Sequence, residues 1–135
     1  MNMDIGFPGG KKVDAQFKGF TVKTDQPKVE GGDGTAPEPF DLFLTSIGTC
    51  AGIYALSFCQ ARHMDLKDLK MALQFHEDAK TGLMEKIEIR MTLPPNFPKE
   101  YIKAIIRSTG LFSVKKQMDR PPVFEITAEI GGIGE

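Results

Sequence analysis

The sequence predicts an α+β fold. Short stretches of alternating apolar and polar residues lie toward both ends of the chain, and one long apolar helical stretch carries Cys50 within Gly48-Thr49-Cys50-Ala51-Gly52. A period of two marks a strand with one buried face, whereas apolar residues recurring three and four apart mark a helix. In chain order, Val13, Ala15 and Phe17 alternate with Asp14, Gln16 and Lys18, and Phe20-Thr21-Val22-Lys23 follows Gly19, the pattern of a hairpin. Residues 27–39 hold Glu30-Gly31-Gly32-Asp33-Gly34 and three prolines, the composition of a loop.

Pro39 suits a first helical position, and Asp41 suits a first turn, where its carboxylate meets the positive end of the helix dipole. The longest helix is therefore expected to start there and run to about His63. Phe40, Phe43, Leu44, Ile47, Ala51, Tyr54 and Phe58 form one apolar stripe, and Leu42, Ile53 and Leu56 populate the other side. A helix apolar nearly all round is expected to be central and covered on most faces. Alternation then predicts strands over 70–76 and 86–93, joined through a turn at Lys80-Thr81-Gly82. After Pro94-Pro95-Asn96-Phe97-Pro98, the spacing of Tyr101, Ile102, Ile105 and Ile106 predicts a second helix ending near Gly110, with a short helical segment from Val114 to Met118. Phe124, Ile126, Ala128 and Ile130 alternate with Glu125, Thr127 and Glu129, which predicts a closing strand before a loose Gly131-Gly132-Ile133-Gly134 tail.

A length of 135 residues suits one domain, 1–135, and no internal repeat or linker divides it. The formal charge is −1 and neither sign forms a block, so nucleic acid and anionic membrane surfaces are not expected partners. No basic-then-apolar leader opens the chain, and Asp41, Thr45, Ser46, Thr49 and Ser57 interrupt the most apolar segment, so neither a signal peptide nor a membrane span is read. Two cysteines without a leader point to a reducing compartment, and the cytoplasm is the expected location.

Cys50 is the best candidate for chemistry. Glycines two residues to either side let a ligand, backbone or second subunit come close to its helix. A thiolate there would attack the O–O bond of a peroxide and become a sulfenic acid that an outside thiol resolves. The bland alternative is a small buried hydrophobe. Cys59 lies nine residues on, about 900° of helix rotation and roughly 13 Å of rise away, too far for an intramolecular disulfide. Cys59 and His63 have the spacing of two zinc ligands, but two do not close a site, so no metal and no cofactor is expected. Gly31-Gly32-Asp33-Gly34 lacks the Lys-Ser/Thr of a phosphate loop. Glu85, Glu88, Glu125 and Glu129 read as a solvated face, and no serine has a histidine and acid in sequence reach.

The run Gly34-Thr35-Ala36-Pro37-Glu38-Pro39-Phe40-Asp41-Leu42-Phe43-Leu44-Thr45-Ser46-Ile47-Gly48-Thr49-Cys50 resembles the loop, helix start and thiol position of the OsmC/Ohr superfamily, the osmotically inducible and organic hydroperoxide resistance proteins. The order of elements resembles it over essentially the whole chain. The resemblance implies an OsmC-like fold, a long central helix enclosed by antiparallel sheets in an intertwined homodimer, with the site at the subunit interface. It implies a peroxidatic Cys50, an organic hydroperoxide as substrate in oxidative stress defence, and an external thiol reductant. Phe40, Phe43, Ile47 and Phe112 are then the expected pocket.

The chain departs from the family at two points. Phe112 stands where the family's second cysteine would fall, and no arginine precedes Arg62 to lower the thiolate pKa. Lys18 or Lys23 offers a charge without the planar fork of arginine, and Glu38 and Asp41 neighbour the family's acid position at the helix start. Cys59 of the partner chain is the remaining candidate for a second thiol. Two functions stay open: a thiol-dependent peroxidase, or a noncatalytic dimer that binds a small apolar ligand or senses redox state.

Overall fold

The computed structural model describes residues 1–132. Strands β1 (Asp4–Gly9), β2 (Lys12–Phe17) and β3 (Phe20–Thr24) form an antiparallel meander in that order. Phe17 pairs with Phe20 across Lys18 and Gly19, both at positive φ (51° and 80°), as a two-residue hairpin of matching twist requires. The β1 strand escapes the sequence reading because Asp4-Ile5-Gly6-Phe7-Pro8-Gly9 mixes two alternating apolar residues with two glycines and a proline. Such a segment is tolerated at a sheet edge, and its register slips between Gly6 and Gly9.

Helix α1 (Pro39–Ala61) is the longest element. Glu38 and Asp41 cap it reciprocally, each side chain accepting from the other's backbone N–H, with Pro39 at the first helical position. The helix stops at Ala61, short of the predicted His63, whose φ of 54° takes it into left-handed backbone. Strands β4 (Lys70–Glu77) and β5 (Met84–Thr92) form the predicted hairpin, turned through Gly82 at φ 72°. After a 3-10 turn at Lys99–Tyr101 come α2 (Ile102–Thr109) and α3 (Ser113–Asp119).

The core is the contact of α1 with β4, β5, α2 and α3. Toward the C-terminal end of α1, Ala55, Phe58, Cys59 and Ile105 are buried together, flanked by Met91, Leu93 and Phe97. Toward its middle, Ile47, Ala51 and Phe112 are buried, flanked by Leu73, Ile87, Ile89 and Val114. Ile105 is fully buried on α2, so Ile105→Ala is expected to cost about 2–5 kcal/mol, read as a lower urea midpoint at unchanged slope.

Two large apolar surfaces have no cover within the chain. Ile5, Ala15 and Val22 stand directly across from one another in the first sheet, and Ile5, Phe7, Phe20 and Val22 remain exposed. The closing strand predicted over Phe124, Ile126, Ala128 and Ile130 does not form: 121–130 has no ladder partner, and Val123, Phe124, Ile126 and Ile130 are 78–95% exposed. The alternation is real, but a strand exists only when paired with a neighbouring edge, and among the described residues 121–130 pairs with none. Gly131 and Gly132 make a turn, and the rest of the predicted tail lies outside the described residues.

Candidate functional site

Cys50 sits near the middle of α1, half-buried, as a free thiol packed against the Ile47, Ala51 and Phe112 cluster. Leu44 and Tyr54, from the turns of α1 on either side, pack on the same cluster, so within one chain the thiol has an apolar setting. Tyr54 Oη lies 3.0 Å from Ser113 Oγ, and this bond ties α1 to α3 one turn beyond the thiol. Ile47 and Phe112 also line a groove of about 450 Å³ between β5 and α3, with Lys86 and Lys115 at its edges.

Half of the expected pocket is assembled. Ile47 and Phe112 come together beside Cys50, whereas Phe40 and Phe43 pair with each other at 5.5 Å and stay exposed. Phe112, which the resemblance sets against the family's second thiol, is 4% exposed and is an aromatic core residue. The two glycines differ in what their missing side chains allow. A Cβ on Gly48 would meet Leu73 at 3.5 Å, an ordinary contact, but a Cβ on Gly52 would meet nothing within 4 Å. Glycine inside a helix is less stable than alanine by about 0.5–1 kcal/mol, and nothing in this chain repays that at Gly52.

The remaining expected residues lie elsewhere. Cys59 is 1% exposed in the other half of the core, and burial pushes its thiol pKa up, with the Arg62 charge opposing. Both thiols are on one continuous helix and are not brought together. Cys59 and His63 do not share a helical face, because α1 ends between them. Glu38 and Asp41 are used as the helix cap, and Lys18 sits in the β2–β3 turn over the Phe17 ring. The first sheet does not lie against α1, so Lys18 is not delivered to Cys50 within the chain. Glu88, read as surface, holds a bond of 2.7 Å to His76 Nε2 with Lys86 and Arg90 nearby; the His76 bond, then the Lys86 charge, keeps its carboxyl below the usual range.

Asp25 is the residue that the sequence reading missed. It is wholly buried between β3 and the loop, and accepts from Thr35 Oγ1 at 2.7 Å, Thr35 N at 3.1 Å and Gln26 N at 2.8 Å. Those bonds, those from Thr35 foremost, hold its pKa down to about 2 against the opposing effect of burial, with Lys12 adding attraction. Gly32 completes the clasp, since a Cβ there would lie 2.0 Å from the Gln26 carbonyl oxygen. The clasp fixes the path of the loop into α1. A carboxyl with a depressed folded-state pKa stabilises above its unfolded value near 4 and loses that contribution as pH falls toward 2. Acid unfolding is therefore expected to steepen between about pH 4 and 2, and the Asp25→Asn chain to be less stable at neutral pH and flatter over that window, measured by circular dichroism.

Residues 32–127 match the family model described as OsmC-like protein. The chain belongs to the OsmC-like family. Its fold is shared with an osmotic stress induced and detoxification response protein from Psychrobacter arcticus, at a TM-score of 0.72 and 18% identity over 87% of each chain. An OsmC like protein from Mycoplasma pneumoniae gives 0.67 and 13%, covering 89% of this chain and 87% of the other. A Legionella pneumophila structure, named as an organic hydroperoxide resistance protein OsmC and predicted redox protein, gives 0.54 and 14% over 87% of each chain. A search of curated proteins returns no match. The family match over 32–127 and these shared structures establish OsmC-like membership and an α+β fold around a long central helix.

Proposed function

We propose that this OsmC-like protein is a thiol-dependent peroxidase that reduces organic hydroperoxides through Cys50 in a dimer of two chains, in the cytoplasm. The supporting observation is the setting of Cys50: a free, half-buried thiol on the central helix, apolar on its own chain's side, with open space at Gly52. The thiolate sulfur attacks one peroxide oxygen, the O–O bond breaks, and the departing alkoxide takes a proton to become an alcohol. Sulfur is oxidised to sulfenic acid by two electrons. A small thiol reductant then condenses with the sulfenic acid, releasing water, and a second equivalent frees Cys50 as a disulfide of the reductant leaves. Phe112 in the second-thiol position makes an outside reductant necessary.

The dimer is supported by the surfaces left bare. Besides the first sheet and 121–130, α1 itself is long and apolar enough by composition to cross a membrane, yet only 28% of its most apolar window is buried. A second copy covers the first sheet, 121–130 and the Phe40–Phe43 end of α1 at once, supplying 121–130 with the strand partner it lacks. Lys18 keeps its role as electrostatic helper only across that interface. Gly52→Ala is expected to leave the protomer as stable or more so by about 0.5–1 kcal/mol, while weakening the dimer measured by sedimentation.

Apolar surroundings favour an organic peroxide over hydrogen peroxide, so cumene hydroperoxide is expected to be consumed faster than hydrogen peroxide under a dithiol reductant. Equal, thiol-independent rates for both would refute the reading. Phe112 favours one alternative, a dimer that holds a small apolar ligand or senses redox state without turnover, and absence of consumption would select it.

A further inference from the structure

We propose that the groove between α1 and α2 binds an amphipathic carboxylate: an apolar body against Ile53, Phe58 and Leu111, with its carboxylate held by Arg62 and Arg107. The groove has a volume of about 560 Å³, within the range of small-molecule sites, and both arginines line it.

The state of Arg62 carries the argument. Its guanidinium carbon lies over the Phe58 ring, 3.6 Å from the centroid, with the Tyr101 centroid at 5.5 Å, and one Nη1–H donates to the Phe58 carbonyl at 3.1 Å. The ring contact and the carbonyl bond together hold the guanidinium in place, and a single bond to a carbonyl leaves most of its five N–H donors unused. A fixed, partly unfilled donor edge suits the two oxygens of a carboxylate. Arg107 brings the second charge; the residues three and four away from it are Lys103 and Ala104 on α2 and Gly110 and Leu111 just past its end, with no acid among them. Among the described residues neither arginine enters an ion pair; the carboxylates that do pair are Asp25, Asp33 and Glu88. Asp65, the acid nearest Arg62 in sequence, accepts from Lys67 N instead. Two unneutralised cations on apolar walls give a positive potential that an anion relieves, and the apolar walls select an anion with a hydrocarbon body. Ser57 and Ser108, on facing helices, add hydroxyls to the same lining.

The groove is separate from the thiol chemistry: its α1 lining runs from Ile53, a turn beyond Cys50, to Arg62, and Cys50 is not part of it. The test is calorimetric titration of the purified full chain with decanoate below its micelle concentration, beside decanol and decyltrimethylammonium. Saturable decanoate binding is expected, weakened about tenfold or more in Arg62→Gln/Arg107→Gln and unchanged in Arg90→Ala and Cys50→Ser. Arg107→Gln alone, an exposed change that leaves the Arg62 stacking intact, is expected to weaken it in the same direction. Decanol binding as tightly as decanoate, binding indifferent to the arginine changes in folded variants, or no decanoate binding at all would each overturn the proposal. The last outcome includes the case in which a second copy fills the groove.

Discussion

Cys50→Ser is expected to bring consumption of cumene hydroperoxide under a dithiol reductant down to the rate of the reductant alone. Serine keeps nearly the size and the helical position of the half-buried thiol, so the cluster of Ile47, Ala51 and Phe112 remains packed. What is lost is the sulfur whose oxidation the reaction requires, and no hydroxyl takes two electrons' worth of oxidation from a peroxide under these conditions. Cys59→Ala is expected to stay within about twofold of the unaltered rate, because burial raises the Cys59 pKa and leaves little thiolate to react. The contrast separates a site-specific peroxidase from a chain that merely contains thiols. A Cys50→Ser chain that consumes peroxide as fast as the original would remove Cys50 from the mechanism.

Ending the chain after Arg120 is expected to yield a folded monomer. The removed segment makes no ladder within the chain, and Val123, Phe124, Ile126 and Ile130 are almost wholly exposed, so the core around Ile47 and Ile105 loses nothing. In the proposed dimer the same side chains would be buried, each worth about 1.5–3 kcal/mol of apolar transfer, and the dimer constant is expected to weaken at least a thousandfold. Sedimentation velocity at micromolar protein reads the change, and circular dichroism confirms that the helices persist. A truncated chain that sediments as the full chain does would show that the exposed strand has no part in association.

Much of the architecture is legible in the sequence because its cues are local. Pro39, Asp41 and the apolar stripe from Phe40 to Phe58 place α1 to within two residues at its end, and alternation in Met71, Leu73, Phe75 and Ile87, Ile89, Met91 places the second hairpin. Where the reading fails, the missing information is not local. The alternation from Phe124 to Ile130 is that of a strand, yet strand formation depends on pairing with an edge, and among the described residues the segment pairs with none. The β1 strand fails for the opposite reason: its partner β2 is present and imposes extended pairing on a segment whose own residues argue weakly for it.

The site divides along the same line. Helical spacing puts Cys50 beside Ile47 and the family resemblance points to Phe112, and the fold brings the three together, whereas Phe40 and Phe43, on the same stripe as Ile47, lie on a surface that the described residues leave bare. Asp25 gave no signal, since a carboxylate ahead of a proline-rich loop looks like any solvated acid until Thr35, ten residues on, folds back to donate to it. Arg62 was noted only as the first arginine of the chain. Its stacking on Phe58, one turn earlier, follows from the i, i+4 relation and was within reach of the sequence.

One experiment bears on the thiol without depending on the reductant or on turnover. The reduced protein is given one equivalent of cumene hydroperoxide in the presence of a cyclic 1,3-dione that traps sulfenic acids, and its peptides are then mapped by mass spectrometry. Peroxidase chemistry at Cys50 predicts the trapped adduct on the peptide that holds Cys50, none on that holding Cys59, and one cumyl alcohol formed per adduct. Unmodified cysteines with the peroxide intact would contradict it.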